Sequence, residues 1–171
     1  MRTIFLIGFM GAGKSTLGKK LAKAIGYRFI DSDKKISKQQ GVTISDLFDT
    51  KGEAYFRQLE KELIEQLDRN ENYIVATGGG LPIYNDLMNK LIEKGITVYL
   101  RVKPSTLLLR LKEGQKKRPL IENLNEEQLK AFIAEKLMVR ESTYIKAQLI
   151  VDEPDQKIEK LIHLLHLHQK N

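Results

Sequence analysis

Short apolar runs alternate along this chain with amphipathic stretches of helical spacing. Ile4-Phe5-Leu6-Ile7 is a continuous apolar run, the pattern of a strand buried on both faces. Runs of this kind predict strands over Thr3–Gly8, Arg28–Asp31, Tyr73–Thr77, Thr97–Val102 and Gln148–Val151. Between them apolar residues recur at helical spacing, as at Leu17, Leu21 and Ala24. The predicted helices are Lys14–Ile25, Ser32–Gln40, Ile44–Thr50, Glu53–Leu67, Leu81–Glu93, Ser105–Lys112 and Glu126–Ile145, with a last one from Pro154 to His168. Thr43 followed by Asp46 resembles a capping box, with Asp in place of the usual Glu or Gln. Strands separated by helices imply right-handed crossovers and a mainly parallel sheet. No repeat and no linker rich in Pro, Gly or Ser interrupts the pattern, so residues 1–171 are expected to form a single domain.

Composition narrows the class. The 171 residues are 42% hydrophobic and 30% charged, the balance of a soluble globular protein. No apolar run approaches the roughly 20 residues that span a bilayer, and Ile4 to Met10 is too short for a signal peptide. A cytoplasmic address is the default expectation. There is no cysteine, which excludes disulfides and thiolate metal sites. The net charge of +7 raises nucleic-acid binding as a possibility. Its clusters, Lys34, Lys35 and Lys38, then Lys112, Lys116, Lys117 and Arg118, lack interleaved aromatic residues. Attraction of small anions is the better reading. His163, His166 and His168 are irregularly spaced in a terminal helix and do not form a metal pattern.

The strongest motif is Gly8-Phe9-Met10-Gly11-Ala12-Gly13-Lys14-Ser15, followed by Thr16, which matches the P-loop G-x-x-x-x-G-K-[ST]. It stands between a predicted strand and a predicted helix. There the amides of Gly11, Ala12 and Gly13 can face phosphate oxygens, with the helix N-terminus adding partial positive charge. Lys14 is placed to reach the β- and γ-phosphates, and the Ser15 hydroxyl to bind Mg²⁺. Polar residues 113–125 lie where a short turn would suffice between two helices. Behind a P-loop such a segment reads as a mobile lid that excludes water, the alternative being a surface loop. Arg118 within it can act as an arginine finger in cis.

Further candidates fall at the carboxyl ends of the predicted strands, where open α/β sheets bind ligands. Asp31 and Asp33 follow the second strand. A carboxylate there can hold Mg²⁺, orient a hydroxyl nucleophile, or cap the next helix. Glu53, Arg57 and Glu60 share a helix. Glu60 falls inside the apolar stripe of Phe56, Leu59, Leu63, Ile64 and Leu67, so it needs a cationic partner such as Arg57. A guanidinium fixed in this way is ready for an anionic ligand; the alternative is an ion-pair ladder on the surface. Gly78-Gly79-Gly80 after the third strand permits positive φ and close backbone approach, as a ligand wall or as a flexible turn. Arg140 sits on the long helix after the lid, a position that a solvated arginine also occupies.

In this order the motifs resemble shikimate kinase, a small member of the nucleoside-monophosphate-kinase-like P-loop group. The resemblance runs to about Asp152. It rests on the P-loop with Thr16, the D-x-D of Asp31 to Asp33, G-E-x-x-F-R-x-x-E at Gly52–Glu60, the glycine triplet, R-P-L at Arg118–Leu120, and R-x-x-x-Y at Arg140–Tyr144. It implies a three-layer α/β/α fold on a five-stranded parallel sheet of order 2-3-1-4-5. A substrate-binding helical segment would span about 32–62 and a mobile lid about 113–125.

The activity implied is transfer of the γ-phosphoryl group of ATP, with Mg²⁺, to the 3-hydroxyl of shikimate, on the route to chorismate. No nucleic acid or membrane partner is implied, and the protein would be a monomer. Asp33, Arg57, Arg140 and the glycines Gly78, Gly79 and Gly80 would hold shikimate, with Arg57 and Arg140 on its carboxylate, Asp33 on its ring hydroxyls and Glu60 orienting Arg57. Asp31 would act on Mg²⁺ through water beside Ser15. Lys14, Asp33 and Arg118 would be the catalytic groups. The arginine that stacks on adenine in the family falls at Leu111 here, with Arg110 one step earlier. Arg110, Pro154 and Gln156 are the candidate adenine neighbours. A gluconate kinase would share the P-loop and lid but not Arg57, Glu60 and the triplet. A nucleoside monophosphate kinase would need a base and phosphate site. A GTPase would need an N-K-x-D motif, which is not present.

Overall fold

A computed structural model describes residues 3–68, 70–115 and 118–170. Lys116 and Lys117, part of the expected lid and of the second basic cluster, lie outside the described residues. Five strands form one sheet: β1 (Thr3–Ile7), β2 (Arg28–Asp31), β3 (Tyr73–Ala76), β4 (Gly95–Arg101) and β5 (Leu149–Asp152). Their order is β2-β3-β1-β4-β5 and every pairing is parallel. This is the expected sheet. The helices are α1 (Lys14–Ile25), α2 (Ser32–Gln40), α3 (Ile44–Glu65), α4 (Leu87–Lys94), α5 (Pro104–Glu113), α6 (Glu126–Tyr144) and α7 (Ile158–Lys170). No described helix is long and apolar enough to cross a membrane.

The central strand explains the layering. Ile4, Phe5, Leu6 and Ile7 are at most 1% exposed, and alternate residues feed opposite faces. Ile4 and Leu6 join a core with Leu21 of α1, Leu107 of α5, Leu129 of α6 and Leu161 of α7. Phe5 and Ile7 join the other with Ile64 of α3, Leu91 of α4, Tyr99 and Tyr144. A third, smaller cluster of Ile36, Leu47, Phe56 and Leu63 ties α2 to α3. It gives the 32–62 segment its own packing.

Local chemistry sets the helix boundaries. The Thr43–Asp46 capping box is present in both directions. Gly52 breaks the helical path of α3 with φ 80° and ψ 167°, so the two predicted helices join through one non-helical glycine. The predicted Leu81–Glu93 helix is corrected. Leu81–Ile83 is a 3₁₀ turn, Asn85 and Asp86 take positive φ, and α4 starts only at Leu87. Asn and Asp tolerate this left-handed geometry better than other side chains, which lets the chain turn there. The last helix is also shorter than predicted. Glu153–Asp155 forms a 3₁₀ turn and α7 begins at Ile158.

Candidate active site

The chain leaves β1, β2 and β3 at the same edge of the sheet, and the candidate residues meet there. Thr77, just beyond β3, donates its backbone N–H to Leu6 O, which sets the glycine triplet beside the P-loop. A cavity of about 870 Å³ opens between them. It is lined by Gly11 to Thr16, Asp31, Asp33, Gly79, Arg110, Arg118, Glu153 and Gln156, among others.

On one side the cavity is built for phosphate. Gly11 and Gly13 take positive φ, and Gly13 is the N-cap of α1 with no side chain to bond the helix amides. Those amides are left for an anion. Lys14 Nζ folds back to donate to the carbonyls of Gly8 (2.7 Å) and Phe9 (2.8 Å). Burial lowers its pKa to about 8, against the opposing pull of Asp33 and Asp31. Ser15 Oγ donates to Asp31 Oδ2 at 2.7 Å. Two hard oxygen donors side by side beside the phosphate loop fit Mg²⁺.

The two aspartates are placed differently, although both line the cavity. Asp31 is the cap of α2, accepting from Lys34 N at 3.2 Å, while Asp33 lies in the first turn and faces the cavity. Burial first, then the neighbouring Asp31, raises the Asp33 pKa. Ser32, fully buried, donates to Asp33 Oδ1 (3.3 Å) and accepts from Gly78 N–H (2.8 Å). Sequence reasoning passed over this hydroxyl, although its place between the two aspartates was the available signal.

Arg57 and Glu60 are both inside the protein, not on a surface ladder. Arg57 is 8% exposed and Glu60 fully buried, with Nη1 donating to Glu60 Oε2 at 2.5 Å. The Nε and Nη2 groups of Arg57 donate to Glu53 Oε1 at 3.1 and 2.8 Å. Glu60 Oε1 is buried without a hydrogen-bond partner among the described residues. Burial pushes the Glu60 pKa up to about 7, despite Arg57.

The glycine triplet works by close approach. None of its residues takes positive φ, which corrects half of the expectation. A Cβ on Gly78 would come within 2.6 Å of Glu60 Oε1 and 2.7 Å of Asp33 Oδ1. One on Gly79 would lie 3.3 Å from Arg140 Nη1, and one on Gly80 would overlap the Arg57 guanidinium. Four charged side chains therefore converge on three bare α-carbons. Arg140 lies over the Phe9 ring at 5.6 Å and makes no ion pair among the described residues. Arg57 and Arg140 flank this wall without lining the large cavity itself.

At the other end of the cavity the candidates separate. Arg110 lines it and donates to Gly11 O (3.2 Å) and to Glu153 (3.4 Å). Glu153, missed in the sequence, lies beside Arg110 and lines the cavity as well. Gln156 lines the cavity too, but its amide donates to Arg101 O and Val151 O, both at 3.1 Å. Pro154 does not line it. The 3₁₀ turn at Glu153–Asp155 directs Pro154 into a separate depression with Tyr99, Val102 and Met138. Arg118 lines the cavity with Nη1 buried and without a partner among the described residues, and burial lowers its pKa. Its segment is anchored by Gln115, whose amide donates to Ile121 O (2.7 Å) and Leu124 O (2.5 Å), and by fully buried Ile121.

This architecture has counterparts among known proteins. The shikimate kinase family model matches residues 10–166. A shikimate kinase of Phocaeicola vulgatus is 41% identical over 159 residues, covering 92% of this chain and 91% of its own. The crystal structure of the Bacteroides thetaiotaomicron shikimate kinase superposes with a TM-score of 0.87 at 34% identity, covering 96% of this chain and 98% of that one. The Acinetobacter baumannii shikimate kinase in complex with shikimate gives 0.86 at 32% identity, covering 100% and 96%. With a P-loop, a paired arginine and a glycine wall at one sheet edge, and likeness over nearly its whole length, the chain belongs to the shikimate kinase family.

Proposed function

We propose that this protein transfers the γ-phosphoryl group of ATP to the 3-hydroxyl of shikimate, giving shikimate 3-phosphate and ADP on the route to chorismate and the aromatic amino acids. The observation that carries this reading is the convergence of Asp33, Arg57, Glu60 and Arg140 on the glycine triplet, beside the P-loop. Two arginines offer charge and bidentate geometry to a small carboxylate. A half-buried carboxylate, Asp33, beside backbone groups discriminates hydroxyls.

Asp33 accepts a hydrogen bond from the 3-hydroxyl and takes up its proton as that oxygen bonds to phosphorus and ADP departs. The P-loop amides and Lys14, released from its loop carbonyls, hold the phosphates. Arg118 turns its Nη1 to the transferring group. Ser15 and, through water, Asp31 would hold Mg²⁺, which would offset phosphate charge. Arg110 packs near the adenine end.

Residues 1–171 act as one domain, with 32–62 shaping the acceptor side and 113–125 covering the donor side. The unit proposed is a cytoplasmic monomer, and every group assigned here lies within one chain.

A coupled assay of ADP release across shikimate, gluconate and nucleoside monophosphates tests the reading. Turnover with shikimate no greater than with water would sink it. Arg57→Ala should raise the KM for shikimate far more than that for ATP; equal effects would make Arg57 structural.

A further inference from the structure

Two phenols meet under the C-terminal turn of α6. Tyr99 of β4 donates to Glu141 Oε2 at 2.6 Å, and Tyr144 donates to Gly79 O at 2.6 Å. Their ring centroids are 5.1 Å apart, with 40° between the planes. Both residues are buried. Burial raises the Tyr144 pKa to about 12, so at neutral pH the phenol is a neutral donor.

Arg140 and Tyr144 are four residues apart on α6 and share a face. Gly79 is thereby touched twice by one helical turn: Tyr144 bonds its carbonyl, and Arg140 Nη1 lies against its α-carbon. Only Leu129, Ile133 and Tyr144 of α6 are fully buried, and only Tyr144 belongs to the last turn. The apolar contacts of that turn therefore come from the Tyr144 ring, which packs with Phe5, Ile7 and Tyr99 but sets no direction for the hydroxyl. The two hydroxyl bonds add direction to that packing and set the height and rotation of the turn.

We propose that Tyr144 is a positioning residue for Arg140, its hydroxyl tying α6 to Gly79 so that the guanidinium stands at a set height over the substrate carboxylate. Tyr99, through Glu141, fixes the rotation of the same turn. The inference rests on the reading of Arg140 as a carboxylate ligand, and the experiment separates the two.

Tyr144→Phe keeps the ring packing and removes only the donor. Kinetics and shikimate titration calorimetry on Tyr144→Phe, Arg140→Ala and the double variant test the proposal. Tyr144→Phe should weaken shikimate binding roughly threefold to tenfold, the worth of one hydrogen bond, with the KM for ATP unchanged. In the Arg140→Ala background the same change should have no further effect, because nothing is left to position. If Arg140→Ala weakens shikimate binding and Tyr144→Phe does not, the proposal is overturned while the site reading stands. Loss of affinity for both substrates, or full additivity in the double variant, also overturns it. If Arg140→Ala itself leaves shikimate binding unchanged, the assignment of Arg140 fails instead. Should Tyr144→Phe not fold, Glu141→Ala removes the acceptor of Tyr99 on the same turn: weaker shikimate binding with an unchanged KM for ATP supports the proposal, and unchanged binding overturns it.

Discussion

The guanidinium of Arg57 lies so close to the α-carbon of Gly80 that a methyl group there would overlap it. Arg57 can yield only by giving up its bonds to Glu53 and Glu60. Gly80→Ala should therefore displace the guanidinium rather than the backbone. The expected result is a rise of roughly tenfold or more in the KM for shikimate, about 1.4 kcal/mol, with the KM for ATP little changed. A variant with wild-type affinity for shikimate would show that the guanidinium is not held where substrate needs it.

Lys14 gives a pH signature to nucleotide binding. Burial lowers its pKa to about 8 in the free protein, and phosphate oxygens would raise it again on binding. Near pH 8 binding should take up about half a proton, and affinity should fall as pH rises further. At pH 6 the lysine is already charged and the uptake should vanish. Titration of ATP in two buffers of different ionisation enthalpy measures this; identical heats at pH 8 would contradict it.

Glu60 gives a second signature, in stability. Its pKa is raised from the ordinary 4.5 to about 7 by burial. Between those values the folded chain keeps a proton that the unfolded chain has released. This contribution is fully present below about 4.5, is lost as pH rises through about 7, and is flat above. Denaturation midpoints of wild type and Glu60→Gln at several pH values test the sign. Their difference should change across pH 5 to 7; a constant difference would place the titration elsewhere.

Gly18 reports on packing between α1 and the sheet. A Cβ there would meet Phe29 Cε2 at 2.7 Å and buried Leu6 Cδ1 at 3.0 Å. Alanine improves helix propensity by about 1 kcal/mol, but overpacking a core costs about 1–3 kcal/mol. Gly18→Ala should therefore be neutral to destabilising in urea. A clear stabilisation would mean that the α1–sheet spacing is slack.

The parts legible in the sequence are those whose signals are local. The P-loop, the D-x-D pair, the capping box and the apolar strand runs each need only a few neighbouring residues, and each stands where expected. Glu60 was legible because a carboxylate in an apolar stripe has to find a partner. What escaped depends on distant chain. Strand β4 begins at Gly95, earlier than its apolar run suggests, because Thr3 of β1 pairs there. Pro154 turns away with the 3₁₀ turn of Glu153–Asp155, into a depression shared with Tyr99 and Met138 of distant chain. Ser32, Tyr99 and Tyr144 act through bonds to Gly78, Glu141 and Gly79, which no spacing rule foretells.

Gly52 touches nothing with its open side, yet its φ of 80° belongs to a region that side chains with a Cβ rarely enter. It is the residue before Glu53, and Glu53 grips Arg57 one turn later. A drift of dihedral at this joint would swing the second half of α3 as a lever, carrying its arginine away from the wall of glycines. The aim of a buried cation thus depends on a side chain that Gly52 lacks, at a place where space is no obstacle to one.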